Sequence, residues 1–138
     1  MTINVGDKIP STTINTMTND GPDAVETDAF FAGKKVVIFG VPGAFTPTCS
    51  AKHLPGFVAN AAAIKAKGVD TIACISVNDP FVMGAWGKDQ NVGDDVMMLA
   101  DGSANFAKAT DLVLDLTDRG LGVRCQRFAM VVDDGKVT

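Results

Sequence analysis

Val36-Val37-Ile38-Phe39-Gly40-Val41-Pro42-Gly43-Ala44-Phe45-Thr46-Pro47-Thr48-Cys49 is the stretch on which the fold turns. Its first half is an apolar run of strand length, the Pro/Gly segment that follows interrupts it, and a helical spacing takes over near Thr48. This order predicts a buried strand, a loop, and a helix whose first turn carries Cys49. The unpaired N–H groups and positive dipole end at such a turn favour a thiolate over a thiol, so Cys49 is the candidate nucleophile.

Beyond Cys49, Leu54, Phe57, Val58, Ala61 and Ile64 recur at intervals of three and four and form one buried stripe. Lys65 and Lys67 then place positive charge at the helix end, near Gly68, and Pro55 is expected to kink the helix. Thr71-Ile72-Ala73-Cys74-Ile75-Ser76-Val77 is a second buried strand. Residues 35–77 thus predict a strand–helix–strand unit with parallel strands and a right-handed crossover, which puts function at the carboxyl ends of the strands. Asn78-Asp79-Pro80 ends the strand and opens a helix through Phe81, Val82, Ala85 and Trp86. A strand at Val96–Ala100, a turn at Asp101-Gly102, a short helix through Phe106, a Gly-rich loop at Gly120–Gly122 and a last strand at Arg127–Val132 follow, and the turn Asp133-Asp134-Gly135 comes after them. Upstream, residues 1–33 predict a strand or hairpin with Ile14 and Met17 inward, and a helix over Thr27–Ala32 stopped by Gly33. The acidic residues Asp20, Asp23, Glu26 and Asp28 are a solvated face.

The 138 residues, 46% hydrophobic and 20% charged, suffice for one domain with a real core. A net charge of −4 without a Lys/Arg cluster argues against nucleic acid or an anionic membrane as partner. No signal-like leader and no run of about 18 apolar residues is present, so a soluble, cytoplasmic protein is expected. The three cysteines, Cys49, Cys74 and Cys125, form no CxxC and no close metal-ligand spacing. Thiol chemistry is therefore expected over a disulfide framework or a metal site.

Pro42, Thr46 and Cys49 form a P-x-x-x-T-x-x-C pattern, and VPGAFTPTCSAKHLPGF, CISVNDPFVMGAW and RCQRFAMVVDDGKV occur in order. Together they resemble the type II peroxiredoxins, the peroxiredoxin-five subfamily. The resemblance implies an α/β thioredoxin-like fold, a central mixed β-sheet flanked by helices, here with an N-terminal strand or hairpin extension. It implies a thiol-dependent peroxidase that reduces hydrogen peroxide and organic hydroperoxides through a cysteine sulfenic acid. No cofactor is implied beyond an external thiol reductant, glutaredoxin with glutathione or thioredoxin, and a homodimer is suggested. The family pattern continues past the DDGKV hairpin with another strand and a final helix, whereas this sequence stops at Thr138. The expectation is a single domain over residues 1–138 that lacks that strand and helix, with a partner subunit as one possible cover for the sheet surface they would otherwise shield.

The residue chemistry fits this implication. Attack on an O–O bond needs a thiolate aimed at one oxygen and donors that hold the other as charge develops on it. Cys49 supplies the thiolate, Thr46 a hydroxyl, Pro42 a shield against water, and Arg127 a permanent positive charge and donors. Arg124 is either a surface arginine or a support from behind. By resemblance to plant-type members, Cys74 is the candidate to resolve the sulfenic acid, which requires the first turn of the helix to open; the alternative for Cys74 is a buried core thiol. Cys125 ranks behind it, sharing a face with Arg127 if the segment is extended. His53 carries no base role, because no orienting Asn or Asp accompanies it. Phe81 and Trp86 are expected in the core or at a subunit contact. A disulfide reductase fails for want of a CxxC, and a catalytically silent interaction or holdase module is the competing class.

Overall fold

The computed structural model describes residues 2–47 and 52–138. The start of the helix near Thr48, and with it the position of Cys49, lie outside the described residues. The apolar run quoted above is β3 (Lys35–Gly40), and it lies beside β4 (Thr71–Ser76) in parallel register, Phe39 opposite Cys74. Alternation within each strand divides their side chains between two cores. Val36 and Ile38 of β3 join Ala73 and Ile75 of β4 on one face, while Phe39 joins Ile72 and Cys74 on the other. A sheet apolar on both faces must be covered twice, which explains the nearly continuous hydrophobic runs.

The large sheet has seven strands in the order β2-β1-β5-β4-β3-β8-β9. It comprises, besides β3 and β4, β1 (Thr13–Thr18), β2 (Gly21–Glu26), β5 (Met97–Ala100), β8 (Phe128–Asp133) and β9 (Lys136–Val137). β4 and β5 are parallel, whereas β8 runs antiparallel to β3, so the sheet is mixed. β1 and β2 form the expected N-terminal hairpin. The helices are α1 (Thr27–Phe31), α2 (Leu54–Ala59), α3 (Ala61–Lys65), α4 (Pro80–Asp89) and α5 (Asn105–Thr110). Among the described residues no helix is long and apolar enough to cross a membrane.

Several expectations hold in detail. The Asp79 side chain accepts from Val82 N at 2.8 Å and caps α4, with Pro80 at its first position, where a missing N–H costs nothing. Leu54, Phe57, Val58, Ala61 and Ile64 all pack in the core that holds Phe39 and Cys74. Trp86 is fully buried there, whereas Phe81 is 65% exposed.

The expectations are refined at three points. Pro55 stands at the start of α2 directly after π-helical residues 52–53, and the carbonyl its missing N–H would face belongs to a residue outside the described ones. The interruption falls five residues later at Asn60, whose backbone leaves helical geometry (φ −104°, ψ 8°) and whose side-chain amide donates to the Gly56 carbonyl at 2.8 Å. The same carbonyl also accepts the Asn60 backbone N–H at 3.2 Å, so side chain and backbone share it. Ile14 and Met17 are both inward, but on opposite faces of the sheet, as residues of opposite parity on a strand must be. Ile14 enters the core of Val36 and Ile38, while Met17 lies against α4, so close that a Cβ on Gly84 would sit 2.9 Å from Met17 Cβ. Finally, the stretch around Gly120–Gly122 is more than a loop. It turns a second, two-stranded antiparallel sheet of β6 (Val113–Leu116) and β7 (Gly122–Cys125). Four-residue strands with half-exposed side chains leave too little alternation for a sequence to show.

Candidate active site

Parallel strands β3 and β4 end side by side, and the loops that leave them build the site. Val41 N still donates to Ile75 O (3.1 Å), extending the pairing one residue past β3 before Pro42 removes the next donor. Residues 42–47 then turn across the strand ends. Ala44 N donates to Asn78 Oδ1 (3.0 Å), and the same oxygen accepts from Ser76 Oγ (2.8 Å). Asn78 therefore ties the loop after β3 to the end of β4. Within the loop, Phe45 takes a left-handed backbone (φ 62°), uncommon for a residue with a side chain, and its ring is 53% exposed.

Thr46 Oγ1 donates to Gly43 O at 2.6 Å. With its proton engaged there, the hydroxyl offers its neighbours acceptor lone pairs, and giving that proton to a thiolate would cost the Gly43 bond. Arg124, from β7, closes the loop from the other side. Its Nη1 donates to Pro42 O (3.3 Å) and its Nε to Leu121 O (2.8 Å). The guanidinium comes so near that a Cβ on Gly43 would lie 2.8 Å from Nη1, so this position accepts only glycine without displacing Arg124. Of the two sequence readings for Arg124, support from behind is the one observed.

Cys125, next to Arg124, is 3% exposed and donates from Sγ to Val41 O at 3.1 Å. The expectation that it shares an extended face with Arg127 is not met. β7 ends at Cys125 in the small sheet and β8 begins at Phe128 in the large one, leaving Cys125 buried and Arg127 exposed. Cys74 is fully buried opposite Phe39. Cys49 lies outside the described residues.

Arg127 meets a partner that sequence reasoning had set aside. Its Nη1 lies 2.7 Å from His53 Nδ1, across 74 residues of sequence. The His53 ring lies 4.9 Å from the ring of Phe39 and 5.6 Å from that of Phe57, which stack on each other at 4.0 Å with an interplanar angle of 5°. Burial, and then the Arg127 charge, lower the His53 pKa below its ordinary value. Of the sequence candidates, the structure thus joins Pro42, Thr46 and Arg124 into one cradle and brings Arg127 onto the helix that follows Cys49. Asn78 and His53 were missed as site residues. The asparagine directly after a buried strand was the signal for the first, and the spacing of one helical turn from Cys49 for the second.

Comparison with known proteins agrees with this architecture. Residues 4–138 match the Redoxin family. Peroxiredoxin-2B of Arabidopsis thaliana is 54% identical over 137 residues, 99% of this chain and 85% of its own length. The crystal structure of reduced Prx3 in complex with H2O2 from Vibrio vulnificus superposes with a TM-score of 0.95 at 51% identity, covering 99% of this chain and 85% of that one. Peroxiredoxin 5 from Alvinella pompejana gives a TM-score of 0.89 at 37% identity over 98% of this chain and 86% of its own.

Proposed function

The chain belongs to the peroxiredoxins, within the Redoxin family and the thioredoxin-like superfamily, and from that membership we propose that Cys49 is the nucleophile of its thiol peroxidase activity, with Pro42, Thr46 and Arg127 around it. Antioxidant thiol peroxidase chemistry is the family's activity. The observation that carries the assignment of residues is the 2.7 Å approach of Arg127 to His53, four residues beyond Cys49. A cation that cannot be deprotonated, held by a residue four positions from Cys49 in the sequence, supports the assignment, because a nearby positive charge favours a thiolate.

In the proposed reaction the Cys49 thiolate attacks one oxygen of a hydroperoxide, an S–O bond forms, and the O–O bond breaks. The departing oxygen leaves as an alkoxide or hydroxide and takes up a proton, giving an alcohol or water and a Cys49 sulfenic acid. Arg127 donates to the oxygens as charge develops, Pro42 keeps water from the thiolate, and Thr46 fixes the loop and contributes its oxygen. The Prx3 of Vibrio vulnificus, whose structure contains H2O2, supports hydrogen peroxide as a substrate, and organic hydroperoxides present the same O–O group.

A thiol then attacks the sulfenic sulfur, water leaves, and a second thiol reduces the disulfide. We assign these steps to glutathione with glutaredoxin, or to thioredoxin, and no bound cofactor is needed. Cys74 would resolve within the chain only if the helix start opened, because it is fully buried in the core cluster that also holds Phe39, Val41 and Leu54. A cytoplasmic homodimer completes the proposal.

The test is the loss of peroxide in the presence of a dithiol, by the native chain and by Cys49→Ser. Turnover that vanishes in the variant supports the assignment. Turnover unchanged in Cys49→Ser would overturn the assignment of Cys49, and turnover absent from the native chain while partner binding persists would favour the silent module.

A further inference from the structure

We propose that His53 is a positioning residue for the peroxidase reaction: its uncharged ring accepts a hydrogen bond from Arg127 at Nδ1 and fixes the guanidinium where the peroxide oxygens must bind. The inference rests on the reading of Arg127 given above. A guanidinium has five donors and no acceptor, so a 2.7 Å contact between Arg127 Nη1 and His53 Nδ1 requires the lone pair on Nδ1. The ring proton is then on Nε2 and the imidazole is neutral. A protonated ring has no lone pair to offer and would repel the arginine.

The surroundings suit a fixed acceptor. Phe39 of β3 and Phe57 of α2 pack near the imidazole, and both belong to the same core cluster as Leu54 and Trp86. The His53 ring is thereby anchored in rigid structure, while Arg127 is an exposed, flexible side chain whose ordering costs rotamer entropy. A group that must stabilise charge in a transition state acts best when its orientation is set beforehand. Among the described residues, β3 and α2 meet His53 with the rings of Phe39 and Phe57, and Arg127 meets it from the segment between β7 and β8. Lys52, its neighbour in the chain, is exposed. Burial and the Arg127 charge both hold His53 in the uncharged form down to a pH below its ordinary range. Acidification beyond that point should release the arginine.

The experiment measures the second-order rate constant for Cys49 oxidation by hydrogen peroxide between pH 5 and 8. It compares the native chain, His53→Leu, His53→Asn, Arg127→Gln and the double variant His53→Leu/Arg127→Gln. Asparagine places an amide oxygen where Nδ1 stood but does not titrate. At pH 8, His53→Leu should lose about tenfold or more, as removal of a charge-assisted hydrogen bond does, and His53→Asn should recover most of it. In the Arg127→Gln background the same His53→Leu change should cost less than about twofold, because the interaction it removes is already gone. The ratio of native to His53→Asn rates should fall as pH drops through the lowered folded-state pKa of His53. Equal losses from His53→Leu in both backgrounds, or a ratio that rises on acidification, would overturn the proposal. If His53→Leu does not fold, the His53→Asn ratio decides alone. Failure of the underlying reading looks different: Arg127→Gln alone would then leave the rate of Cys49 oxidation unchanged.

Discussion

The loop of residues 42–46 and the Arg127–His53 pair sit at the same end of the sheet, yet they are held by different chemistry. The loop is tied down by groups whose charge does not change near neutral pH. Asn78 accepts from Ala44 N, Arg124 donates to Pro42 O, and Thr46 donates to Gly43 O. Arg127 instead meets an imidazole, the side chain whose ordinary titration falls nearest physiological pH. The lesson is that one part of the site is built to keep its shape across pH, whereas the orientation of its main positive charge depends on a group that can be switched. Gly40 joins the two parts. It lies at the end of β3, before the loop, and pairs with Phe128, the neighbour of Arg127.

The comparison can be broken most severely at that joint. A Cβ on Gly40 would lie 2.0 Å from Phe128 Cε1, so Gly40→Ala must push the ring aside. We expect a loss of about 1–3 kcal/mol of stability, the usual range for overpacking, seen as a lower denaturant midpoint with an unchanged slope. Peroxide reactivity should fall as well, because Phe128 carries Arg127 with it. An unaltered midpoint would show that the ring has room to move.

A smaller effect is expected where the loop alone is loosened. Asn78→Ala removes the acceptor shared by Ala44 N and Ser76 Oγ, and should cost about 1–3 kcal/mol for the groups left unsatisfied. Asn78→Asp keeps an oxygen acceptor and should recover most of the loss. The measurement is equilibrium unfolding at pH 5 and 8, and the Asn78→Ala deficit should be the same at both. A deficit that grows at low pH would erase the distinction between the two parts of the site.

The smallest effect concerns stability at the titratable side. The folded-state pKa of His53 is lowered, so the unfolded chain binds the proton more readily. Its contribution to stability is therefore fully present above the unfolded value near 6.5 and is lost as pH falls through the folded value. Relative to His53→Asn, the native chain should lose stability in that acid window. The change should stay within about 1 kcal/mol, since the partly exposed pair is screened by solvent. A relative gain of stability on acidification would mean that His53 is better accommodated when charged.

The order strand, loop, helix, strand around Cys49 was legible in the sequence, because alternation, three-and-four spacing and Pro/Gly interruptions act over a few residues. Pro42, Thr46, Cys49 and Arg127 could likewise be named from motif and chemistry. The β6–β7 hairpin could not, since its short strands carry little alternation, and with it went the route by which Arg124 and Cys125 reach the end of β3. The partners were beyond the sequence for a related reason. Arg124 meets Pro42 across 82 residues, Arg127 meets His53 across 74, and Asn78 meets Ala44 across 34. The close fit at Gly40 and Gly43 also comes largely from distant side chains, Phe128 and Arg124. The sequence by itself determined which groups are candidates for the chemistry, because that is a property of residue types and short-range spacing. Only the tertiary structure decided which of them are held and by what, because a hydrogen bond or a steric limit depends on where the rest of the chain returns.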